Sequence, residues 1–212
     1  MPPEPLVLAF DTSAAHCAAA LLSGTQVLAH RIEPMDKGQA ERLIPMLEEM
    51  LAGAGTLWRD LAVLGVGTGP GNFTGVRISV AAARGLALGL GITAVGVTTL
   101  EAMAYGRAGD RVALLDARRG SLYAQVFDGG PAVLCTLETL PDLTRGRTCI
   151  GHAAAQVAAL CAGPVADPVF PLTVAIARIA LDKRFSSGRP APFYLRGADA
   201  APPSDPPPTI LP

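Results

Sequence analysis

Short unbroken apolar runs alternate in this chain with stretches where apolar residues recur every three or four positions, and that alternation predicts the elements. Residues 6–10 (L-V-L-A-F) read as a strand buried on both faces that stops at the polar turn Asp11-Thr12-Ser13. Strands over 17–22 and 26–32, joined by Ser23-Gly24, complete a three-stranded meander with Asp11 at its first bend. Over 39–52 the period changes: Ala40, Leu43, Ile44, Leu47, Met50 and Leu51 share one side of a helix, opposite Glu41, Arg42, Glu48 and Glu49. Pro45 should bend that helix or mark a restart. A strand over 61–66, a helix over 76–90 and a strand over 92–97 make a βαβ unit with a right-handed crossover. Thr98-Thr99 caps a short helix that runs through Tyr105.

After the linker candidate at 106–110 the order begins again. A strand over 112–115 ends at Asp116, the turn 117–120 returns as a strand over 121–127, and 131–137 supplies a third. Helices are expected over 140–145, 153–162 and 172–185, and an extended segment over 190–196. Strand, aspartate, tight turn and antiparallel strand therefore occur twice. The arrangement suggests α/β architecture with two ribonuclease-H-like domains of the actin-like ATPase (ASKHA) type, mixed sheets flanked by helices, the second domain truncated. The expected division is 1–106, 107–197, and a proline-rich tail, 198–212, that should be disordered. In actin-like enzymes the two aspartate turns face each other across a cleft that binds metal-nucleotide phosphates.

The stretch V-G-T-G-P-G-N-F-T-G-V-R, residues 66–77, links the central strand to its helix. Its glycines permit positive φ or close backbone approach, and Thr74 is the N-cap candidate. A glycine loop at a helix N-terminus suits phosphate. The dinucleotide fingerprint, however, needs glycine where Asn72 stands, and there is no G-K-[ST]. A tight turn for helix-on-sheet packing explains the loop equally well. Arg77 opposes the helix dipole, at a cost of roughly 0.3–1 kcal/mol. It either meets an anion or a partner's carboxylate, or lies along the surface with its head in water.

Composition narrows the classes. With 212 residues, 50% hydrophobic and 17% charged, the chain can bury a real core. A net charge of −1 lacks the basic footprint of an autonomous nucleic-acid binder. Cys17, Cys135, Cys149 and Cys161 lack C-x-x-C spacing and read as reduced thiols. His16, His30 and His152 form no H-x-x-x-H, so no metal site is assigned. No Ser-His-Asp or Cys-His arrangement can be nominated, so no residue is assigned as catalytic. The N-terminus lacks a basic n-region, and the longest uncharged stretch, 85–100, falls short of the roughly 20 residues that span a bilayer, so a cytoplasmic location is expected.

Six motifs, D-T-S (11–13), A-E-R-L-I-P (40–45), G-T-G-P-G-N-F-T-G-V-R-I (67–78), T-T-L-E-A (98–102), D-A-R-R-G-S-L-Y (116–123) and P-F-Y-L-R (192–196), run in order along nearly the whole chain. Together they resemble the bacterial TsaB (YeaZ) family. The resemblance implies a non-catalytic subunit of the machinery that installs threonylcarbamoyl on N6 of adenosine 37 in tRNAs reading A-starting codons. The implied partners are TsaD, the metal-bearing catalytic paralogue, and TsaE, an ATPase. A homodimer is expected when the chain is alone, and tRNA is reached only through the complex. The resemblance also implies that the helices over 39–52 and 76–90 meet the equivalent pair on TsaD. Interface candidates are Leu43, Met46, Leu47 and Met50 on the first, and Arg77, Ile78, Ala81, Ala82, Gly85 and Gly89 on the second. Met46, Met50, Ala83 and Leu90 are the candidates for a second apolar face. No cofactor is required, and Asp11, Thr12, Gly69 and Gly71 are compatible with no more than weak ATP or ADP binding. The competing class is a stand-alone actin-like small-molecule kinase or ATPase.

Overall fold

A computed structural model describes residues 4–140, 144–186 and 188–196. Two five-stranded sheets carry the chain, and they repeat one topology. In the first, β1 (Leu6–Asp11), β2 (His16–Ser23) and β3 (Gln26–Pro34) form the antiparallel meander; β4 (Leu61–Gly67) and β5 (Thr93–Val97) join β1 in parallel, in the order β3-β2-β1-β4-β5. In the second, β6 (Arg111–Asp116), β7 (Ser121–Val126) and β8 (Ala132–Thr136) are the meander. There β9 (Thr148–Gly151) and β10 (Val165–Ala166) are the parallel additions, so the order β8-β7-β6-β9-β10 matches the first sheet strand for strand. The expected structural repeat is present. β9 and β10 were not foreseen, because T-C-I-G and V-A are too short to show a period.

Two helices cover one face of the first sheet: α1 (Gln39–Gly53) and α2 (Phe73–Leu90). Leu8, Phe10, Cys17, Ala19 and Leu21 meet Leu43, Met46 and Leu47 there. Each large side chain so buried contributes roughly 1.5–3 kcal/mol. α1 runs unbroken through Pro45, whose ring lies on the exposed side where the unbonded Glu41 carbonyl can meet water. α2 begins earlier than its apolar period suggested. Its N-cap is Asn72, whose side chain accepts from the Gly75 N–H at 3.0 Å, and the expected cap Thr74 is already inside the helix.

The opposite face is covered by a helix from the far end of the chain, counted here as α5 (Leu172–Asp182) after α3 (Thr99–Ala104) and α4 (Ala154–Cys161). Val7, Ala9, Ala20, Leu22 and Val63 pack against Ile176 and Ala180. Gly65 of β4 permits this contact, since a Cβ there would stand 3.0 Å from both the Ala180 Cβ and the Ile176 side chain. A division at 106/107 assigns α5 to the second half, yet its core is the first sheet's. α3 joins the halves: Leu100 and Ala104 pack on Ala113 and Tyr123 of the second sheet, while Ala102 belongs with α5. Of the helix expected over 140–145, residues 141–143 lie outside the described residues, as does the tail 198–212. Residues 190–194 run without regular structure along the first sheet's edge, tied by Phe193 N donating to Thr68 O at 2.9 Å.

Candidate functional site

The glycine loop and the Asp11 turn lie on one another. Asp11 is fully buried at the end of β1, and its Oδ1 accepts from the Ser13 N–H at 3.0 Å and the Ser13 hydroxyl at 2.9 Å, with His16 Nε2 at 3.0 Å. Its Oδ2 has no hydrogen-bond partner among the described residues. The Thr12 hydroxyl donates to Gly75 O at 2.6 Å, and Asn72 N donates to Ser13 O at 2.6 Å. The glycines make this approach sterically feasible. A Cβ on Gly75 would fall 1.9 Å from Thr12 O, one on Gly71 2.4 Å from Ser13 O, and one on Gly67 1.9 Å from Asp11 Oδ2. The loop is thus spent on packing against its own turn, the bland alternative of the two that the sequence left open. Asp11, Thr12, Gly69 and Gly71 do come together, but they bond to the loop and turn themselves, and Gly69 O accepts from Thr99 N at 2.7 Å. The second turn is built differently: Asp116 is exposed, and its Oδ1 accepts from Arg118 N at 2.8 Å.

The two helices divide the interface candidates sharply. Leu43, Met46, Leu47 and Met50 are buried in the chain's own core, and Ala83 with them. They offer nothing to a partner, because a helix laid on a sheet spends its apolar face there. The opposite side of α1 presents Glu41, Pro45 and Glu48. Ile78, Ala82 and Leu90 are half-buried against the same core. The remaining candidates, Arg77, Ala81, Gly85 and Gly89, are exposed, joined by Arg84 and by Leu88, which is 85% exposed. A Cβ on Gly85 or Gly89 would meet nothing within 4 Å. By length and composition α2 could cross a membrane, but Val76, Val80 and Ala83 fasten it to the sheet, leaving a free apolar face on a core helix.

At the N-terminal end of that face the Arg77 guanidinium lies 3.7 Å from the Phe73 ring centroid. Its Nε donates to the Tyr194 hydroxyl at 3.0 Å, and the two rings stand 5.1 Å apart. Among the described residues Arg77 therefore meets no carboxylate, yet it does not float free. Phe73 and Tyr194 were missed. The i, i+4 spacing of Phe73 and Arg77 was legible, but nothing local to P-F-Y-L-R could bring Tyr194 to it.

α1 is clamped to β3 by charge. Arg42 donates to Glu33 at 2.6 and 2.7 Å and to Glu49 at 2.7 and 2.9 Å, and Arg31 reaches Glu49 at 2.5 Å. The hydrogen bonds from Arg42 and then Arg31 hold the Glu49 carboxyl down at about 2, and Arg42 lowers Glu33 in the same direction. Burial lifts the Cys17 thiol to about 11, so it stays protonated as a core residue. Among the described residues no cluster of His, Cys, Asp or Glu could hold a metal ion. A cleft of about 620 Å³ opens between α3 and the second sheet beside Glu101, Tyr105, Arg111 and Phe127, beneath Phe193.

Residues 26–168 match the family described as TsaD: tRNA N6-adenosine threonylcarbamoyltransferase. The tRNA threonylcarbamoyladenosine biosynthesis protein TsaB of Escherichia coli K12 is 41% identical over 122 residues, which are 55% of this chain and 52% of that protein. The chain thus spans about half the length of that relative. An uncharacterized Mycobacterium bovis protein is 33% identical over 199 residues, 92% of this chain and 94% of the relative. Among solved structures, a Pseudomonas aeruginosa protein with similarity to the peptidase YEAZ superposes with a TM-score of 0.72 at 23% identity, over 91% of this chain and 100% of that one. At that identity the likeness speaks for the fold, two ribonuclease-H-like domains with mixed sheets, the second reduced.

Proposed function

The chain belongs to the TsaB (YeaZ) family, and from that premise we propose that it is a non-catalytic subunit in the biosynthesis of threonylcarbamoyladenosine in tRNA, acting in the cytoplasm by docking on the catalytic paralogue TsaD. The observation that supports docking is the outer face of α2. Glycine inside a helix costs roughly 0.5–1 kcal/mol relative to alanine. Gly85 and Gly89 carry that cost where their own chain would accommodate a methyl group, and Leu88 stands in water beside them. Small residues at helical spacing let a second helix approach closely, and Leu88 then finds cover. The corrected surface is therefore one helix face, with α1 contributing its polar side.

In this reading the chain contributes shape. The Asp11 turn is closed over by the glycine loop, which supports a role without chemistry of its own, with no cofactor required and nucleotide held weakly if at all. TsaE and tRNA are engaged through the complex, and in the absence of TsaD the same face pairs two copies of the chain. The test is nucleoside analysis of tRNA from cells depleted of this protein and complemented with wild type or Gly85→Arg. Loss of threonylcarbamoyladenosine on depletion, restored by wild type and not by the variant, is the expected result. Unchanged threonylcarbamoyladenosine after depletion removes the assignment.

A further inference from the structure

The second sheet is covered unevenly. Leu122 and Ala124 of β7 face α4, while Tyr123 and Phe127 alternate to the other side, where the six residues of α3 stand in place of the eleven that α5 lays on the first sheet. There Leu100 and Ala104 cover Ala113 and Tyr123, but Leu134 of β8, opposite Tyr123 in the register, is left 40% exposed. Ala132, on the same side of β8, lines the cleft of about 620 Å³, whose walls include Tyr105, Phe127, Pro131 and Phe193. Phe193 and Leu195 bring the chain into that cleft, and the described residues stop one position later, at Arg196.

The chain itself supplies the occupant. Residues 197–212, G-A-D-A-A-P-P-S-D-P-P-P-T-I-L-P, follow directly from the cleft wall. Such a segment is too proline-rich to build a core of its own, but its prolines favour polyproline II, a conformation fixed before binding that aromatic-lined grooves recognise. We infer that residues 202–208 fold back into this cleft, their proline rings against Tyr105 and Phe127 and Asp205 against Arg111. Residues 197–201 span up to about 17 Å when extended, enough to reverse the chain beside Leu195. Arg111 suits the carboxylate. It lies 5.3 Å from the Phe127 ring centroid, gives Nε and Nη1 to the carbonyls of Ala104 and Gly109, and has no acidic partner among the described residues. Glu101, the carboxylate in the cleft wall, is paired with Lys183 at 2.5 Å, so it neither holds Arg111 nor stands unneutralised against Asp205. A short tether keeps the segment at an effective concentration on the order of millimolar, so even a weak contact is populated.

Fluorescence anisotropy with a labelled peptide of residues 197–212 tests this on the full chain, with circular dichroism and melting temperature as fold controls. The chain carrying Pro202→Ser, Pro203→Ser, Pro206→Ser, Pro207→Ser and Pro208→Ser vacates its cleft and binds the peptide about tenfold or more tightly than wild type, whose own segment competes. Adding Phe127→Ala to that variant weakens binding about tenfold or more. A peptide with Asp205→Lys also binds more weakly, by a margin that shrinks in high salt. Equal binding by wild type and the proline variant, or none by either, overturns the segment as occupant and leaves the cleft to a small molecule or another chain. Binding undiminished by Phe127→Ala places the segment elsewhere and overturns the site. Binding undiminished by Asp205→Lys overturns the contact with Arg111.

Discussion

The Thr12 hydroxyl donates to the Gly75 carbonyl at 2.6 Å, a buried bond that ties the turn after β1 to the first turn of α2 across 63 residues of chain. It works only because Gly75 has no side chain, since a Cβ would stand 1.9 Å from Thr12 O. Gly75→Ala must push the helix from the sheet edge or break the bond. An overpacked, hydrogen-bonded site of this kind loses about 2–4 kcal/mol. Thr12→Val removes the donor but keeps the volume, and should lose about 1–3 kcal/mol. Urea unfolding of both variants ranks them, and a Gly75→Ala variant as stable as wild type would show that the loop does not need its glycine.

Met46 separates the sequence reading from the structure. Its side chain is fully buried between α1 and the first sheet, so Met46→Asp should destabilise the fold itself, although the family resemblance had made Met46 an interface candidate. The loss should reach about 3 kcal/mol or more, because a carboxylate would be buried without a partner. Met46→Leu, which keeps volume and polarity, should cost less than about 1.5 kcal/mol. Soluble, cooperatively melting Met46→Asp protein would contradict the burial.

What the sequence made legible was whatever one element decides for itself. The strand-aspartate-turn order appeared twice and returned as two sheets of one topology. The period of α1 identified its apolar positions but could not say whether they faced a sheet or a partner, since both faces of that choice use the same residues. Two partners settle it in three dimensions: the sheet beneath Met46, and the Arg42 network that turns Glu33 and Glu49 outward. α5 and Tyr194 were illegible for another reason. Each acts on an element far away in sequence, and no local pattern encodes that destination.

The Arg42 clamp sets a pH dependence. The folded-state pKa values of Glu33 and Glu49 are depressed, Glu49 to about 2, so their contribution is present above the unfolded carboxylate value and disappears as pH falls through the folded one. The window runs from about 4.3 down to about 2. Melting temperatures of wild type and Glu49→Gln should differ at pH 6 and converge by pH 2. The network is at the surface, so high salt should narrow the difference at pH 6. A constant difference across that range would mean the carboxylate charge plays no part.

Asp11 is where an actin-like enzyme and a docking subunit make opposite predictions. In this chain the carboxylate is enclosed, with Oδ1 bonded to Ser13 and His16, and Oδ2 lying so near Gly67 that a Cβ there would fall 1.9 Å away. Asn in its place can keep the Oδ1 bonds only as a neutral acceptor, and it sets an amide NH2 in the enclosed position beside Gly67 where the unpartnered Oδ2 stood. Asp11→Asn should therefore cost about 1–3 kcal/mol of stability. If the chain is a subunit without chemistry of its own, magnesium-dependent ATP turnover by the purified protein should be at background in both wild type and variant. A wild-type turnover that vanishes in Asp11→Asn, at a temperature where both remain folded, would return the chain to the kinase and ATPase class. The stability loss alone, without any turnover to lose, is what a structural aspartate predicts.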